Sequence, residues 1–234
     1  MIAAIGDIHG ESTWRELMFT DDNYKNFEKI IFIGDYVDSF HIIFGKQTAN
    51  LLDIVDFKKA NPDKVILLLG NHDVHYINPD YKCSGFDTRK FAVFNNIFKE
   101  NSSLFQLSYL HKDHLFTHAG VSNSWLMNLL SDCKPEIEEF YQNNPIDVFL
   151  NELYKQEHKS IFQCSKRSGG SDAYSGPLWL RPDERVDRNI PNNYNQIFGH
   201  TACSELTKFE LPNGNYQYLI DCLEYSGEML TLNI

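Results

Sequence analysis

Six side chains that can bind metals follow short apolar runs of the sequence. They are Asp7, His9, Asp35, Asn71, His118 and His200. Together they offer two carboxylates, three imidazoles and one amide, a mixed nitrogen and oxygen set that suits divalent ions such as Mn, Fe, Zn or Co. Because one catalytic ion must keep positions open for its substrate, six ligands fit two ions better than one. The residue types therefore predict a binuclear metal site.

Short apolar runs position these side chains. The runs, with the glycines that follow them, are 2–5 with Gly6, 30–33 with Gly34, 65–69 with Gly70 and 196–198 with Gly199, while 115–117 leads to His118 without a glycine. Aliphatic and β-branched runs of this length that end in glycine are typical of buried strands. If the strands share one sheet, their carboxyl ends meet at one edge, where open α/β sheets bind ligands. The pattern predicts that the six side chains converge there.

Helical patterns lie between the strands, at 48–60 and 88–99, which indicates an α/β fold. Residues 123–190 differ from the rest. They contain three more helical patterns, at 125–130, 135–141 and 145–157, followed by a stretch at 166–191 that is rich in Gly, Ser, Pro and Arg. Long loops in a compact domain usually serve function. The end of the chain predicts two strands, 216–220 and 229–234, joined around Ser226-Gly227. We expect one domain, 1–234, with 123–190 as a helical cap and loop insertion near the active site.

Composition narrows the class of protein. The chain has 234 residues, of which 42% are hydrophobic and 23% charged, as in ordinary globular domains. A net charge of −11 argues against non-specific binding to nucleic acid or anionic membranes. No run approaches the ~20 apolar residues that span a bilayer, and we expect no targeting segment. The five cysteines show no CxxC spacing, so we expect reduced thiols and a cytoplasmic location.

Five sequence blocks resemble the calcineurin-like metallophosphoesterase superfamily. The blocks are GDIHG (6–10), GDYVDS (34–39), GNHD (70–73), THAG (117–120) and GHT (199–201), in the family order. The chain is most similar to the phosphoprotein-phosphatase branch, which includes small bacterial and phage phosphatases and the diadenosine tetraphosphatases. Thr201-Ala202, in place of the second histidine of many phosphodiesterases, favours that branch. The resemblance implies a four-layer α/β/β/α sandwich and a Ser/Thr-phosphatase-like phosphomonoesterase.

The resemblance also implies a role for each site residue. The implied ligands are Asp7, His9 and Asp35 for one ion, and the bridging Asp35 with Asn71, His118 and His200 for the other. His72 would donate a proton to the leaving oxygen, and Asp38 would hydrogen-bond His72 and hold it as imidazolium. A hydroxide bridging the two ions would attack phosphorus. We expect Mn²⁺, with Fe, Zn or Co as alternatives.

The chain departs from the family pattern at Ser39, where phosphoprotein phosphatases have a phosphate-binding arginine. A serine cannot form a charged, bidentate clamp. The sequence favours Arg181 as the substitute, because it ends the Leu-Trp-Leu-Arg motif before the last ligand block. The competing candidates are Arg167, Arg185 and Arg188. Asp73, which replaces a family glutamate, is predicted either to be structural or to face the edge of the active site. Five histidines fit no ligand position: His41, His75, His111, His114 and His158.

The substrate stays open at this point. A phosphoserine or phosphothreonine protein, a bis(5′-nucleosyl) tetraphosphate and a nucleic-acid end all fit the predicted chemistry, although the acidic chain argues against nucleic acid. A second alternative is a catalytically silent scaffold of the same fold. Such scaffolds usually lack ligands or the catalytic histidine, whereas every one of those positions is filled here. The sequence leaves the oligomeric state open.

Overall fold

The computed structural model describes residues 1–184 and 194–234. The strands in these ranges are β1 (Ile2–Ile5), β2 (Lys29–Phe32), β3 (Val65–Leu68), β4 (Phe105–Gln106), β5 (Ser108–His111), β6 (His114–Thr117), β7 (Asn195–Phe198), β8 (Thr207–Glu210), β9 (Tyr216–Leu219) and β10 (Leu230–Leu232). The α-helices are α1 (Thr13–Phe19), α2 (Phe44–Ala60), α3 (Asn71–Ile77), α4 (Thr88–Glu100), α5 (Asn123–Asp132), α6 (Pro135–Asn143) and α7 (Ile146–Lys155). None of these helices is long and apolar enough to cross a bilayer.

The chain divides into two compact units. The first unit comprises Met1–Gln106, Ala202–Leu206 and Ile220–Ile234, and the second comprises Leu107–Thr201 and Thr207–Leu219. The first unit holds a sheet of order β10-β1-β2-β3-β4, in which β1 to β4 are parallel and β10 is antiparallel to β1. β1 and β3 are buried at every position, because a parallel strand has both faces covered.

Aromatic side chains fix helices to the sheet of the first unit. Trp14 on α1 lies edge-on to Phe32 of β2, with ring centroids 5.5 Å apart, and 5.9 Å from Phe57 on α2. The Trp14 indole N–H donates to Asn50 at 2.9 Å, so this buried polar atom is paired. Removing a buried ring of this size typically costs ~3–5 kcal/mol of stability. This packing holds the carboxyl end of β2 in place.

The second unit holds a sheet of order β5-β6-β7-β9-β8, in which β6, β7 and β9 are parallel and the two outer strands are antiparallel to their neighbours. α7 buries Ile146, Phe149, Leu150 and Leu153, which share one face at helical spacing. The Asn151 side chain on α7 accepts hydrogen bonds from the backbone N–H groups of Leu107 and Ser108, at 2.8 and 3.1 Å. The helix is thereby joined to the outer strand β5.

The structure confirms the predicted α/β class, with helices and two sheets. It corrects the idea that all ligand-bearing strands share one sheet, since β1, β2 and β3 lie in one and β6 and β7 in the other. An apolar run can form a strand at any interior position of a sheet, so the sequence does not specify which strands pair with it. The predicted terminal strands exist as β9 and β10, but they do not form a hairpin, because β9 pairs with β7 and β8 whereas β10 pairs with β1.

Each predicted helical pattern corresponds to a helix of the structure, although some helix ends differ from the predicted ones. α4 begins at the predicted residue, Thr88, but α2 begins at Phe44, four residues before the predicted start. Its first turn is tied to the preceding loop by Gln47, whose Oε1 accepts from Asp38 N–H at 2.9 Å, and such a contact leaves no periodic signal. The three helices predicted within 123–157 are present as α5, α6 and α7. The predicted loop at 166–191 is described only to residue 184. The organisation of residues 1–234 as one domain, with 123–190 as a cap and loop insertion, stays a prediction.

Candidate metal centre

Three ligand side chains meet in the first unit, directly after β1 and β2. One ligating atom each from Asp7, His9 and Asp35 lie within 4.8 Å of one another. His9 Nδ1 lies 2.7 Å from the Val37 carbonyl oxygen and donates to it, which leaves Nε2 as the nitrogen that can bind a metal. Both carboxylates are buried, at 4% and 2% exposure. Two neighbouring buried carboxylates are costly without a cation, so this donor set fits a divalent ion.

Backbone strain concentrates at the candidate site. Eight residues other than glycine have a positive φ within the described ranges. Four of them are candidate site residues, namely His9 (41°), Asp35 (51°), Asp38 (67°) and His200 (66°). Such conformations persist only when surrounding contacts enforce them, and they cluster at functional sites. The backbone is therefore shaped to aim these side chains.

The glycines before the ligands allow the ends of β2 and β3 to approach closely. A methyl group on Gly70 would overlap Asp35 Oδ1, and one on Gly34 would overlap the Gly70 amide. Asp35 Oδ1 also accepts from the His72 N–H at 2.9 Å. The bridging ligand predicted from the sequence is thus held against the segment that carries Asn71 and His72.

Asp73 links the segment after β2 to the segment after β3 through backbone hydrogen bonds. Its carboxylate accepts from the backbone N–H groups of Asp35, Tyr36 and Gly70, at 2.7, 2.8 and 2.8 Å. Burial, with the nearby Asp35 charge, raises the pKa of Asp73 well above its usual value. The residue is fully buried and touches backbone rather than solvent, in agreement with the structural role predicted for it.

His72 and Asp38 form the pair that the sequence predicts. His72 Nδ1 lies 3.2 Å from Asp38 Oδ2, and the His72 ring centroid is 5.1 Å from that of His9. Burial alone would lower the pKa of His72, but the carboxylates of Asp35 and Asp38 raise it above its usual value. The ring is therefore adjacent to the first ligand group and is electrostatically favoured as imidazolium. Its catalytic role stays a prediction.

Further side chains hold Asp38, and the sequence analysis missed them. His75 Nε2 lies 2.7 Å from Asp38 Oδ2, and the Tyr76 hydroxyl donates to Asp38 Oδ1 at 2.7 Å. Burial alone would raise the pKa of Asp38, but its hydrogen bonds outweigh burial and lower it. His75 follows His72 by three residues, and that helical spacing was the available signal. Cys83, whose Sγ lies 3.0 Å from His75 Nδ1, carried no local signal.

Asp221 is another acidic residue that sequence analysis did not assign to the site. Burial, with the charges of Asp35 and Glu224, raises the pKa of Asp221 to about 7. Because the Asp35 charge affects it, this carboxyl adds to the negative potential of the first ligand group. Its signal in the sequence resembles that of His118, since it follows a strand-like run without an intervening glycine.

The second unit brings together its own pair of predicted ligands. His118 follows β6 and His200 follows β7, two strands that pair in parallel. The Gly199 N–H donates to the His118 carbonyl at 2.7 Å, and His118 Nε2 lies 3.2 Å from His200 Nδ1. The ring centroids are 5.1 Å apart. Two imidazoles with facing nitrogens are a suitable half of a metal site.

Two arginine candidates, Arg167 and Arg181, lie in the described part of the second unit. Arg181 is two residues beyond Trp179, whose ring is 5.6 Å from that of His200. Arg167 Nη1 lies 3.4 Å from the Asp183 carbonyl oxygen, while Arg185 and Arg188 lie outside the described residues.

The hydroxyl of Ser39, the residue at the position of the family arginine, forms hydrogen bonds within its own loop. Its Oγ accepts from the N–H groups of His41 and Ile42, at 3.1 and 2.9 Å.

Comparison with known proteins identifies the family. Residues 1–204 match the calcineurin-like phosphoesterase family. A curated relative, the symmetrical bis(5′-nucleosyl)-tetraphosphatase of Buchnera aphidicola subsp. Baizongia pistaciae, is 26% identical over 176 residues, which cover 69% of this chain and 59% of that protein. The chain thus spans less than two thirds of the length of that relative.

Solved structures share the fold. A cold-active protein-tyrosine phosphatase of a psychrophilic Shewanella species is 17% identical, with a TM-score of 0.57 over 94% of this chain and 70% of that one. A protein serine/threonine phosphatase of Saccharomyces cerevisiae is 18% identical, with a TM-score of 0.51 over 93% of this chain and 66% of that one. At these identities the likeness concerns the fold alone.

Proposed function

We propose that this chain, which belongs to the calcineurin-like phosphoesterase family, is a hydrolase acting on phosphoester bonds and, more narrowly, a two-metal phosphomonoesterase. One observation carries the proposal. In the first unit, the ligand group of Asp7, His9 and Asp35, whose two carboxylates are buried, adjoins a histidine that is paired with a buried carboxylate. A metal-binding group beside a proton donor is the minimum that phosphoester hydrolysis needs.

The proposed ligands follow the family pattern. Asp7, His9 and Asp35 hold one divalent ion, and Asp35, Asn71, His118 and His200 hold the other. When bound, the ions neutralise the charge of the phosphoryl group and make hydroxide available near neutral pH. Carboxylate, imidazole and amide donors accept Mn, Fe, Zn and Co. Mn²⁺ is the ion we propose first.

The protein's own residues handle the leaving group. Asp38 engages Nδ1 of His72 at 3.2 Å, so Nε2 is the atom that can give a proton to the leaving oxygen. The buried carboxylate favours the protonated ring and fixes its orientation, as partners of catalytic histidines do. Arg181 is proposed to bind the substrate phosphate, supported by its place two residues beyond Trp179, which packs on His200.

A second candidate substrate is a bis(5′-nucleosyl) tetraphosphate. The curated relative described above is named for that activity. Ser39 also supports this candidate. It stands where phosphoprotein phosphatases have a phosphate-binding arginine, and its hydroxyl is already hydrogen-bonded to the N–H groups of His41 and Ile42. The partner in either case is a phosphorylated substrate, either a protein or a small molecule, and a cytoplasmic location stays a prediction.

Three substrates assayed side by side with Mn²⁺ test the proposal. Hydrolysis of p-nitrophenyl phosphate supports the phosphomonoesterase, and conversion of diadenosine tetraphosphate to ADP supports the second candidate. Bis-p-nitrophenyl phosphate reports diesterase activity. Asp35→Asn should abolish turnover and lower bound metal, whereas Asp63→Asn, at an exposed position, should do neither. Inactivity on all three, with metal bound, would leave the silent scaffold as the better account.

His72→Asn tests the proton donor separately. This variant should keep its metals but lose ~10²–10⁴-fold in turnover of an alkyl phosphate. The loss on p-nitrophenyl phosphate should be much smaller, because nitrophenolate leaves without a proton. Metal content by elemental analysis distinguishes loss of the donor from loss of the site. Unchanged hydrolysis of the alkyl phosphate would contradict the role of His72.

A further inference from the structure

A cysteine and two histidines lie together in the first unit, beside the proposed phosphoesterase site. The ligating atoms of His72, His75 and Cys83 lie within 4.8 Å of one another. His75 Nδ1 is 3.0 Å from Cys83 Sγ, and the two imidazole centroids are 5.6 Å apart. No other cysteine in the described part of the chain belongs to a three-residue ligand group. This group has no part in the proposed ligation of the two catalytic ions.

Local structure explains why the three side chains meet. His72 and His75 are three residues apart on α3, so their side chains share one face. The chain then makes a 3₁₀ turn at Pro79–Tyr81, which returns Cys83 to that face. There the Asn71 amide lies 3.6 Å from Cys83 Sγ. Since His72 and Cys83 are only partly buried, an ion from solvent has a path to the group.

The donor set is the kind that zinc prefers. A thiolate with two imidazoles matches the Cys and His ligands of zinc proteins, and thiolates favour Zn²⁺ over Mn²⁺. Tetrahedral zinc holds nitrogen and sulfur ligands about 3.6 Å apart. The 3.0 Å between His75 Nδ1 and Cys83 Sγ must therefore widen by about half an ångström, which side-chain rotation can supply. Three protein ligands leave a fourth position for water.

Asp38 supplies the outer support that such a site needs. Zinc-bound histidines usually donate their second ring nitrogen to a carboxylate, which orients the ring and strengthens the ligand. His75 places its two nitrogens in this way: Nε2 lies 2.7 Å from Asp38 Oδ2, close enough for an ion pair though not aligned for a hydrogen bond, while Nδ1 faces the sulfur. The buried negative charge of Asp38 also offsets the charge of an incoming cation.

We propose that His72, His75 and Cys83 bind Zn²⁺ and that this ion inhibits the enzyme. Binding forms a zinc–sulfur bond in place of the Cys83 S–H bond and a zinc–nitrogen bond in place of an N–H bond of the His72 imidazolium, and both protons go to solvent. A zinc-bound His72 cannot carry the proton that the leaving oxygen requires. The binding step stands on the geometry alone, whereas the inhibition rests on the function proposed above.

Cobalt spectroscopy tests the binding step without any assay of activity. Co²⁺ occupies zinc sites, and a thiolate ligand gives it a strong near-ultraviolet charge-transfer band, which nitrogen and oxygen ligands do not. The full-length protein, first loaded with Mn²⁺, should develop this band on titration with Co²⁺. Cys83→Ser should abolish the band, and Cys133→Ser, at a half-buried cysteine of the second unit, should keep it. Absence of the band, or its persistence in Cys83→Ser, overturns the proposal.

Zinc titration of the Mn²⁺-loaded protein tests the inhibition. With an alkyl phosphate as substrate, Zn²⁺ should inhibit the unaltered protein at concentrations at least ~10-fold lower than it inhibits Cys83→Ser, because one ligand bond is lost. Equal sensitivity of the two proteins overturns the inhibitory role. If the unaltered protein hydrolyses no phosphoester, the proposed function fails, and the cobalt band still decides whether the site exists.

Discussion

His75 and His72 share one oxygen atom of the Asp38 carboxylate. His75 Nε2 lies 2.7 Å from Asp38 Oδ2, and His72 Nδ1 lies 3.2 Å from the same atom. The other oxygen accepts from Tyr76 at 2.7 Å. Because α3 carries all three of these partners, the helix fixes the carboxylate from several directions at once. The orientation of His72 therefore depends on contacts that Asp38 makes with residues outside the sequence blocks.

Replacing His75 tests this dependence. His75→Asn should lower kcat on an alkyl phosphate by about 10–100-fold, as loss of a residue that supports the partner of a catalytic side chain does, with little change in KM. The loss on p-nitrophenyl phosphate should be smaller, because His72 matters less there. His41→Asn, at an exposed histidine, is the matched control. An equal loss on both substrates, or loss of bound metal, would mean that His75 supports the fold rather than the proton donor.

Replacing Asp38 tests the electrostatic part of the same arrangement. The Asp38 carboxylate raises the pKa of His72, and a raised pKa keeps the imidazolium present until the pH rises through that value. Asp38→Asn removes the charge, so the pKa of His72 falls and protonated His72 is lost at lower pH. The alkaline limb of the kcat profile on an alkyl phosphate should move to lower pH. A profile that only drops in height, with its limb unmoved, would contradict the electrostatic role.

The sequence was sufficient to predict those features that depend on residues close together in the chain. A strand-like run, a glycine and a donor predicted the positions of Asp7 and Asp35, and the helical spacing predicted α4 almost to the residue. The pairing of strands was not local, since the run before His118 could have joined either sheet. Contacts such as those of Tyr76 and Cys83 with the site were equally hidden, because they depend on how a helix and a loop fold back.

Asp73 offers a test of stability apart from catalysis. Its carboxylate accepts three backbone N–H groups, from Asp35, Tyr36 and Gly70. An asparagine has only one acceptor oxygen and turns an NH₂ group toward the remaining donors. Because a buried N–H that loses its acceptor costs ~1–3 kcal/mol, Asp73→Asn should lower the free energy of unfolding by ~1–3 kcal/mol. Urea denaturation measures this change in the free energy of unfolding, with Asp63→Asn, at an exposed position, as the control. A change below ~0.5 kcal/mol would show these bonds to be dispensable.

Gly70 tests whether close approach of the backbone builds the metal site. A methyl group at this position would overlap Asp35 Oδ1 and crowd the Asp35 amide, so Gly70→Ala should displace the ligand and lower metal affinity along with stability. Gly45 is the matched control within the same unit, because a methyl group there meets nothing within 4 Å. Gly45 lies in α2, so Gly45→Ala should instead stabilise the protein by up to ~1 kcal/mol. Calorimetry of Mn²⁺ binding and thermal unfolding of both variants measure the contrast. Full metal affinity in Gly70→Ala would show that Asp35 can be aimed without the close contact of β2 and β3.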